Sequence, residues 1–535
     1  MEDVHPLATT WEKEHARSLH RLAVALVVVG LVWRFSRYLL AFPIWGDEAF
    51  LLVNYFTRGY ADLLGPIDNC QIAPLLFHVL EMTAFRLLGP NELAVRLPAF
   101  LACLANVALF WHLARLLLPP LARTLTVAIF AVSVWPATMG ALVKPYAFDL
   151  FFSLAMLVLA AHWALRPGSV RPLVVLALLA PVAMIGSYPA VFVGGSLAVV
   201  LAGLAWQRGD RRALGLVVLY GVLLSGTFVA HYLGVAVRHL ASNVKISPAS
   251  PLPNASTQDG MDSYWANAFP PRNPLRLAWW LFLVHTGQVA AYPLGAANGG
   301  SIATATLGLL GMIWLWRRDQ RWLVLVILGI FALGFLAGWL RKYPYLLSCR
   351  LSQHLAPLYC LTAGIGLAAL LLRCREGRRG WAVGITLGIL ALIGLGGTVR
   401  DFVRPYRELN SWTSREVVRE LIAEAGDEPI LVLGDPTQLE ATVLWNLGKY
   451  GDRVRWCQNL PATVGQTRAV WVVEACFFGN KPPSAETQLS ASPVRWRRSA
   501  LRRFAQGVEV SRDPIQCGRI VRMVREESDL ASAND

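Results

Sequence analysis

The chain has 535 residues, 55% of them hydrophobic and 16% charged, with a mean hydropathy of +0.47. Soluble proteins run nearer roughly 45–50% apolar and about 25% charged. The apolar excess here lies in long uncharged runs, which excludes a purely soluble enzyme, a disordered chain and a fibrous repeat. Eight cysteines make no disulfide scaffold. The formal net charge of +15 resides largely in short Lys/Arg clusters between apolar runs, a topology signal and not a nucleic-acid footprint.

A helix needs about 20 mostly apolar residues to cross a bilayer. In chain order the candidate runs are 22–42, 96–115, 123–144, 148–165, 172–207, 213–237, 301–316, 322–340, 351–372 and 380–399. The run 172–207 is uncharged and too long for one crossing, so Ser187-Tyr188-Pro189 is expected to break it into a helical hairpin. The N-terminus has basic residues but no small-residue cleavage site after a clean apolar core, so the first helix is expected to stay on the chain. Alternating spans bring Arg17/Arg21, Arg115/Arg123, Arg166/Arg171, Arg208/Arg211/Arg212, Arg317/Arg318/Arg321 and Arg373/Arg375/Arg378/Arg379 to one side. The positive-inside rule makes that side cytoplasmic. The alternation closes only if the short apolar stretches 73–88 and 278–291 lie along the outer interface. About eleven spans follow from this count.

Composition changes after Arg400. Strand-like 430–433 leads into Gly434-Asp435-Pro436, with Asp as N-cap and Pro as first helical residue. A helix to about Lys449 and a strand at 454–457 complete a βαβ-like unit, and 469–475 and 519–524 also read as strands. A small α/β domain outside the membrane is expected, without a glycine-rich phosphate loop. Cys457, Cys476 and Cys517 lie in it, and an oxidising compartment would permit one bridge among them.

Most of the unusual polar residues fall on the presumed outer face. Trp45-Gly46-Asp47-Glu48 follows the first span. Adjacent carboxylates at the end of a membrane helix are costly unless they face water, a cation or a partner. One reading is interfacial solvation; the other is a general base that activates a nucleophile. Successive helical residues point about 100° apart, so one carboxylate should face a cavity while the other orients backbone or a neighbour. Gln71 and His78 follow in a loop entering an interfacial helix, where a lone histidine such as His78 is more often packed or interfacial than functional. Arg96 opens the second span and would also serve as a snorkelling anchor. Lys144-Pro145-Tyr146 opens the fourth span against the positive-inside trend, and Arg350, Gln353 and His354 repeat the theme. Such cations share one explanation, a phosphate at the membrane surface; contact with anionic headgroups is the plain alternative. Arg34 and Arg37 lie roughly 18–23 Å into the first span and are functional candidates as intramembrane cations, with outward snorkelling as the alternative.

These strings resemble a known family. Trp45-Gly46-Asp47-Glu48-Ala49, then Ala73-Pro74-Leu75-Leu76-Phe77, Leu88-Gly89-Pro90-Asn91-Glu92 and Arg96-Leu97-Pro98 are similar to the C-type (GT-C) membrane glycosyltransferases. The pattern is nearest that of the protein O-mannosyltransferase, lipid A aminoarabinose transferase and rhizobial lipopolysaccharide glycosyltransferase groups. Lys144-Pro145-Tyr146 resembles their basic-x-Tyr element, and Tyr343-Pro344 with Arg350 and Pro357 their late outer-loop element. The resemblance covers roughly residues 20–370 and leaves out the C-terminal domain. Two departures stand out. Gln71-Ile72-Ala73-Pro74 replaces a common His-Pro-Pro, and Leu142-Val143 replaces an acid before the basic-x-Tyr element.

The resemblance implies a polytopic α-helical GT-C protein of the bacterial inner membrane, with its active site and C-terminal domain extracytoplasmic. The division expected is a cytoplasmic N-terminus at 1–21, a transmembrane glycosyltransferase domain at 22–399 with outer loops 43–92 and 238–300, and an α/β domain with a disordered tail at 400–535. A sugar would pass from a polyprenyl-phosphate donor to an envelope lipid, glycan or protein acceptor by inverting displacement, with Asp47 as base and Glu48 beside it. Lys144, Tyr146, Arg350, Arg34 and His354 would bind the donor phosphate, and Gln71, His78 and Arg96 would form a substrate loop. No metal ligands are assigned, a divalent cation is left open, and no nucleic-acid partner is expected. A transporter or lipid-linked glycan flippase is the competing class, and it predicts repeated halves with paired broken helices. No such repeat is visible, and the acids cluster near one end of the chain.

Overall fold

The computed structural model describes residues 7–69, 71–166, 168–240, 265–433, 441–457, 459–464, 467–474, 484–490, 492, 495–505 and 517–526. The runs read as spans fold into helices, the way a chain in lipid satisfies its own amides. A short α1 (Thr10–Glu14) precedes α2 (Ala16–Leu39), α3 (Gly46–Leu52), α4 (Leu75–Leu88), α5 (Glu92–Leu117), α6 (Pro120–Ala131) and α7 (Val134–Met139). Then follow α8 (Tyr146–Leu165), α9 (Arg171–Gly186), α10 (Ala190–Gln207), α11 (Arg211–His231) and α12 (Val237–Leu240), with a π-turn between the last two. The helical part closes with α13 (Pro274–His285), α14 (Ile302–Arg317), α15 (Arg321–Trp339), α16 (Ala356–Leu371) and α17 (Glu376–Val403).

Eight of the described helices are long and apolar enough to cross a membrane, and α6, α9 and α14 are shorter apolar helices. The break at Ser187-Tyr188-Pro189 between α9 and α10 falls where the sequence places it. The run 123–144, expected as one span, is instead two helices. Ser133 hydrogen-bonds back to the Ile129 carbonyl at 2.6 Å, and the Val134 N–H is taken by the Pro293 carbonyl at 3.2 Å. The chain bends there into α7 and a loop that delivers Lys144. The expected interfacial stretches are helical at α4 and α13.

Small residues let the helices approach closely, as membrane packing requires. A side chain at Gly366 would collide with the Leu307 carbonyl of α14, one at Gly311 with the Thr362 carbonyl of α16, and one at Gly364 with Thr126 of α6. A buried ion pair, Arg37 with Asp401 at 2.8 Å, joins α2 to the end of α17, and the Trp33 indole donates to the same carboxylate at 2.8 Å.

The C-terminal unit begins with α18 (Leu409–Ala425), which the sequence reading missed. Strands β1 (Ile430–Leu433), β2 (Val454–Cys457), β3 (Ala469–Glu474), β4 (Trp496–Ala505) and β5 (Cys517–Arg525) form one sheet in the order β2-β1-β3-β5-β4. Helix α19 (Ala441–Gly448) connects β1 to β2. Strands β1, β2 and β3 run parallel, while β5 pairs antiparallel with β3 and β4. Every residue of β1 and β3 is buried, as expected of central parallel strands. The expected strand 519–524 lies inside β5, whereas β4 was not foreseen. Gly434-Asp435-Pro436 and Cys476 lie outside the described residues, as does the part of the expected outer loop 238–300 between 241 and 264. Among the described residues Cys457 has no disulfide partner, and the side chains of Cys476 and Cys517 lie outside those described.

This unit rests on the helical part. Trp445 of α19 is fully buried, with Phe56 and Phe85 against its ring. Lys449 pairs with Glu92, and Arg415 donates to the Ala41 carbonyl at 3.1 Å.

Candidate active site

Asp47 and Glu48 both lie in the first turn of α3, and their surroundings divide them. Glu48 has no exposed surface. Its carboxylate pairs with Arg96 at 2.6 Å and accepts N–H bonds from Trp45 at 3.3 Å and Val143 at 2.7 Å. It therefore ties together the start of α3, the start of α5 and the loop before Lys144. Arg96 also donates to the Phe42 carbonyl at 2.5 Å, so the arginine is a structural clamp and not a snorkelling anchor.

Asp47 keeps 28% of its side chain exposed and contacts two cations, Lys144 at 2.9 Å and Arg350 at 3.3 Å. Residues 97 and 303 positions down the chain thus converge on one carboxylate. Lys144 also donates to Gln71 at 2.6 Å, and Gln71 donates to the Asn69 carbonyl at 2.9 Å. The Arg350 loop is held by Tyr343 donating to the Leu351 carbonyl at 3.0 Å and Gln353 donating to the Cys349 carbonyl at 2.7 Å. Burial works to raise the Asp47 pKa, but Lys144, by charge and hydrogen bond, together with Arg350 and Arg407, holds the carboxyl below its ordinary range. A carboxylate kept ionised is able to accept a proton.

Tyr146 packs in the same corner with Trp45, Met139 and Leu142. Arg34, His78 and His354 make no bond to Asp47 among the described residues. Arg34, expected at the phosphate, is buried and donates to the carbonyls of Gly30 (2.9 Å), Ala131 (2.5 Å) and Phe130 (3.4 Å). Its two Nη atoms are thus turned to α2 and the end of α6, and among the described residues it makes no bond to Asp47, Lys144 or Arg350. His78 is buried and shares a hydrogen bond with Tyr55 at 2.9 Å. His354 is buried beside Phe192. Neither histidine is recorded in contact with Asp47.

Sequence reading missed two residues here. Arg407 stacks on the Trp45 ring at 3.8 Å, and Arg350 lies over that ring at 5.6 Å. Glu408 lies within electrostatic range of Asp47. A cleft of about 770 Å³, lined by Arg272, Trp280, Trp339, Arg341 and Leu346 among others, includes neither Asp47 nor Lys144. Among the described residues no group of three or more His, Cys, Asp or Glu side chains is arranged to hold a metal ion. Both Asp47 oxygens are engaged by cations.

The family model of dolichyl-phosphate-mannose-protein mannosyltransferases matches residues 72–231. A sequence search of curated proteins finds no match. Among solved structures, ArnT from Cupriavidus metallidurans bound to undecaprenyl phosphate is similar at 14% identity and a TM-score of 0.52, covering 93% of this chain and 97% of that one. The oligosaccharyltransferase of Archaeoglobus fulgidus in its apo form aligns at 10% identity, 84% and 65% coverage and a TM-score of 0.44. The arabinofuranosyltransferase AftD from Mycobacteria aligns at 13% identity, 98% and 40% coverage and a TM-score of 0.45.

Proposed function

We propose that this chain, which has the GT-C fold, is a membrane glycosyltransferase that takes a sugar from a polyprenyl-phosphate donor. The acceptor would be an envelope lipid, glycan or protein hydroxyl or amine on the outer face of the bacterial inner membrane. One observation carries the reading: a partly exposed carboxylate, Asp47, is held ionised between Lys144 and Arg350 just beyond the first long apolar helix. Undecaprenyl phosphate bound to ArnT supports the donor class.

The chemistry follows from the charges. An arriving phosphate draws Lys144 and Arg350 onto its oxygens and releases the Asp47 carboxylate. The acceptor atom attacks the anomeric carbon as the bond from that carbon to the phosphate oxygen breaks, and the phosphate leaves with the electron pair. The fixed cations stabilise the charge that develops there. The proton of the acceptor passes to Asp47, and a single displacement inverts the anomeric centre. No step is routed through a metal.

The test is transfer by the purified chain, together with mass spectrometry of lipid-linked sugars and envelope glycans with and without it. Asp47→Asn keeps the shape and removes the base, so transfer should fall by about 10²–10⁴-fold while donor binding survives. Unchanged lipid-linked sugars and glycans in cells lacking the chain would overturn the reading.

A further inference from the structure

The short connector between α17 and α18 passes over the candidate site. It follows Arg400 and Asp401, which are fixed to α2 through Arg37 and Trp33, and it ends where α18 begins to dock through Arg415. Between these two anchors lies Arg407. Its guanidinium stacks on Trp45, the residue that precedes the first turn of α3, and the same ring is approached by Arg350, the partner of Asp47. Among the described residues Arg407 makes no hydrogen bond and no ion pair. A half-buried guanidinium held by a ring face, its donor fork unused, and set beside a second arginine and a lysine, is in the position of a group awaiting a bidentate anion.

We infer that Arg407 is a third cation of the donor-phosphate site, contributed by the connector that leads into the C-terminal unit, so that the site is complete only when that unit is docked. This rests on the donor reading above and adds a ligand residue and a dependence that the resemblance, which ends before the C-terminal domain, does not supply. The docking contacts are specific: Lys449 with Glu92, Arg415 with the Ala41 carbonyl, and Trp445 against Phe56 and Phe85. They hold α18 and α19 to the segments that flank α3, and so fix the connector above Trp45.

The experiment measures binding of undecaprenyl phosphate to the purified full chain in detergent, alongside thermal unfolding. Arg407→Ala and Arg407→Gln should weaken binding about 10- to 100-fold, the size of one lost charged hydrogen-bond pair, with little change in unfolding temperature. Arg407→Lys should restore part of the affinity, because charge and reach survive; a purely structural stack on Trp45 would not be restored by lysine. The double variant Arg415→Ala with Lys449→Ala keeps all three cations but loosens docking, and should weaken binding in the same direction. Wild-type affinity in Arg407→Ala, when Lys144→Ala has lost it, would overturn this inference alone. Wild-type affinity in the double variant would overturn the dependence on docking. An unsubstituted chain that binds no undecaprenyl phosphate would overturn the donor reading, and this inference with it.

Discussion

At the scale of the residue, Asp47 and Glu48 show how two neighbouring carboxylates acquire different chemistry from their surroundings. Burial acts to raise the Asp47 pKa, and the facing cations more than offset it. Asp47 therefore stays ionised until the pH falls below its ordinary value of 3.8. The stabilisation from its ion pairs is present above that region and lost as pH falls through the lowered pKa. Arg350→Ala removes one opposing charge, so the acid limb of the kcat/KM profile should move to higher pH than in the unsubstituted chain; an unmoved limb would separate Asp47 from the proton transfer. Glu48→Gln should act differently. It strips the charge opposite the buried Arg96, a change that costs about 3–5 kcal/mol when a buried pair loses one partner. The measurable result is a lower unfolding temperature, with the surviving folded fraction losing less transfer than Asp47→Asn. Much of this site was legible in the sequence, because Asp47, Lys144 and Arg350 each stand where a charge opposes its membrane context. The Glu48–Arg96 pairing was not, since nothing local in either segment specifies a partner 48 residues away. Arg407 is likewise a cation close to the end of an apolar helix, but it lies in the stretch assigned to the C-terminal α/β domain, where no site residue was sought.

At the scale of the element, hydropathy located most helices, and small residues decide how they pack. Gly364 and Gly366 on α16 face α6 and α14 so closely that no side chain fits. Gly366→Val should drive α14 and α16 apart at a cost of about 1–3 kcal/mol for overpacking, read as a lower unfolding temperature in detergent. Tolerance of valine there would mean that these helices do not depend on close backbone contact. The run 123–144 misled because apolar content is blind to where an amide finds its partner. Val134 bonds to Pro293, far along the chain, and that tertiary bond ends the helix. Strand β4 was missed for another reason. Its sequence, Trp496-Arg497-Arg498-Ser499-Ala500-Leu501-Arg502-Arg503-Phe504-Ala505, lacks clean alternation, and β4 lies at the sheet edge, where charge guards against unwanted pairing.

At the scale of the whole molecule, the helical bundle and the C-terminal unit share the surface around α3. We propose that this surface faces away from the cytoplasm, a reading that rests on the basic clusters at the opposite helix ends. A reporter that fluoresces only in the cytoplasm, fused after Arg525, should stay dark; a bright fusion would reverse the orientation. The eight long apolar helices and the three shorter ones together match the eleven spans expected only if α6, α9 and α14 also cross.

The distance between Asp47 and Arg350 along the chain also has a meaning in time. The acid is made 303 residues ahead of its arginine, a gap of roughly 15–60 s at about 5–20 residues per second of synthesis. Throughout that interval the growing polypeptide carries Asp47 without Arg350 or Arg407. An unfinished or truncated copy therefore has the acid but not its electrostatic setting. On the proposed reading, competence arrives only after Arg350 and Arg407 have been made and have settled beside the segment that carries Asp47.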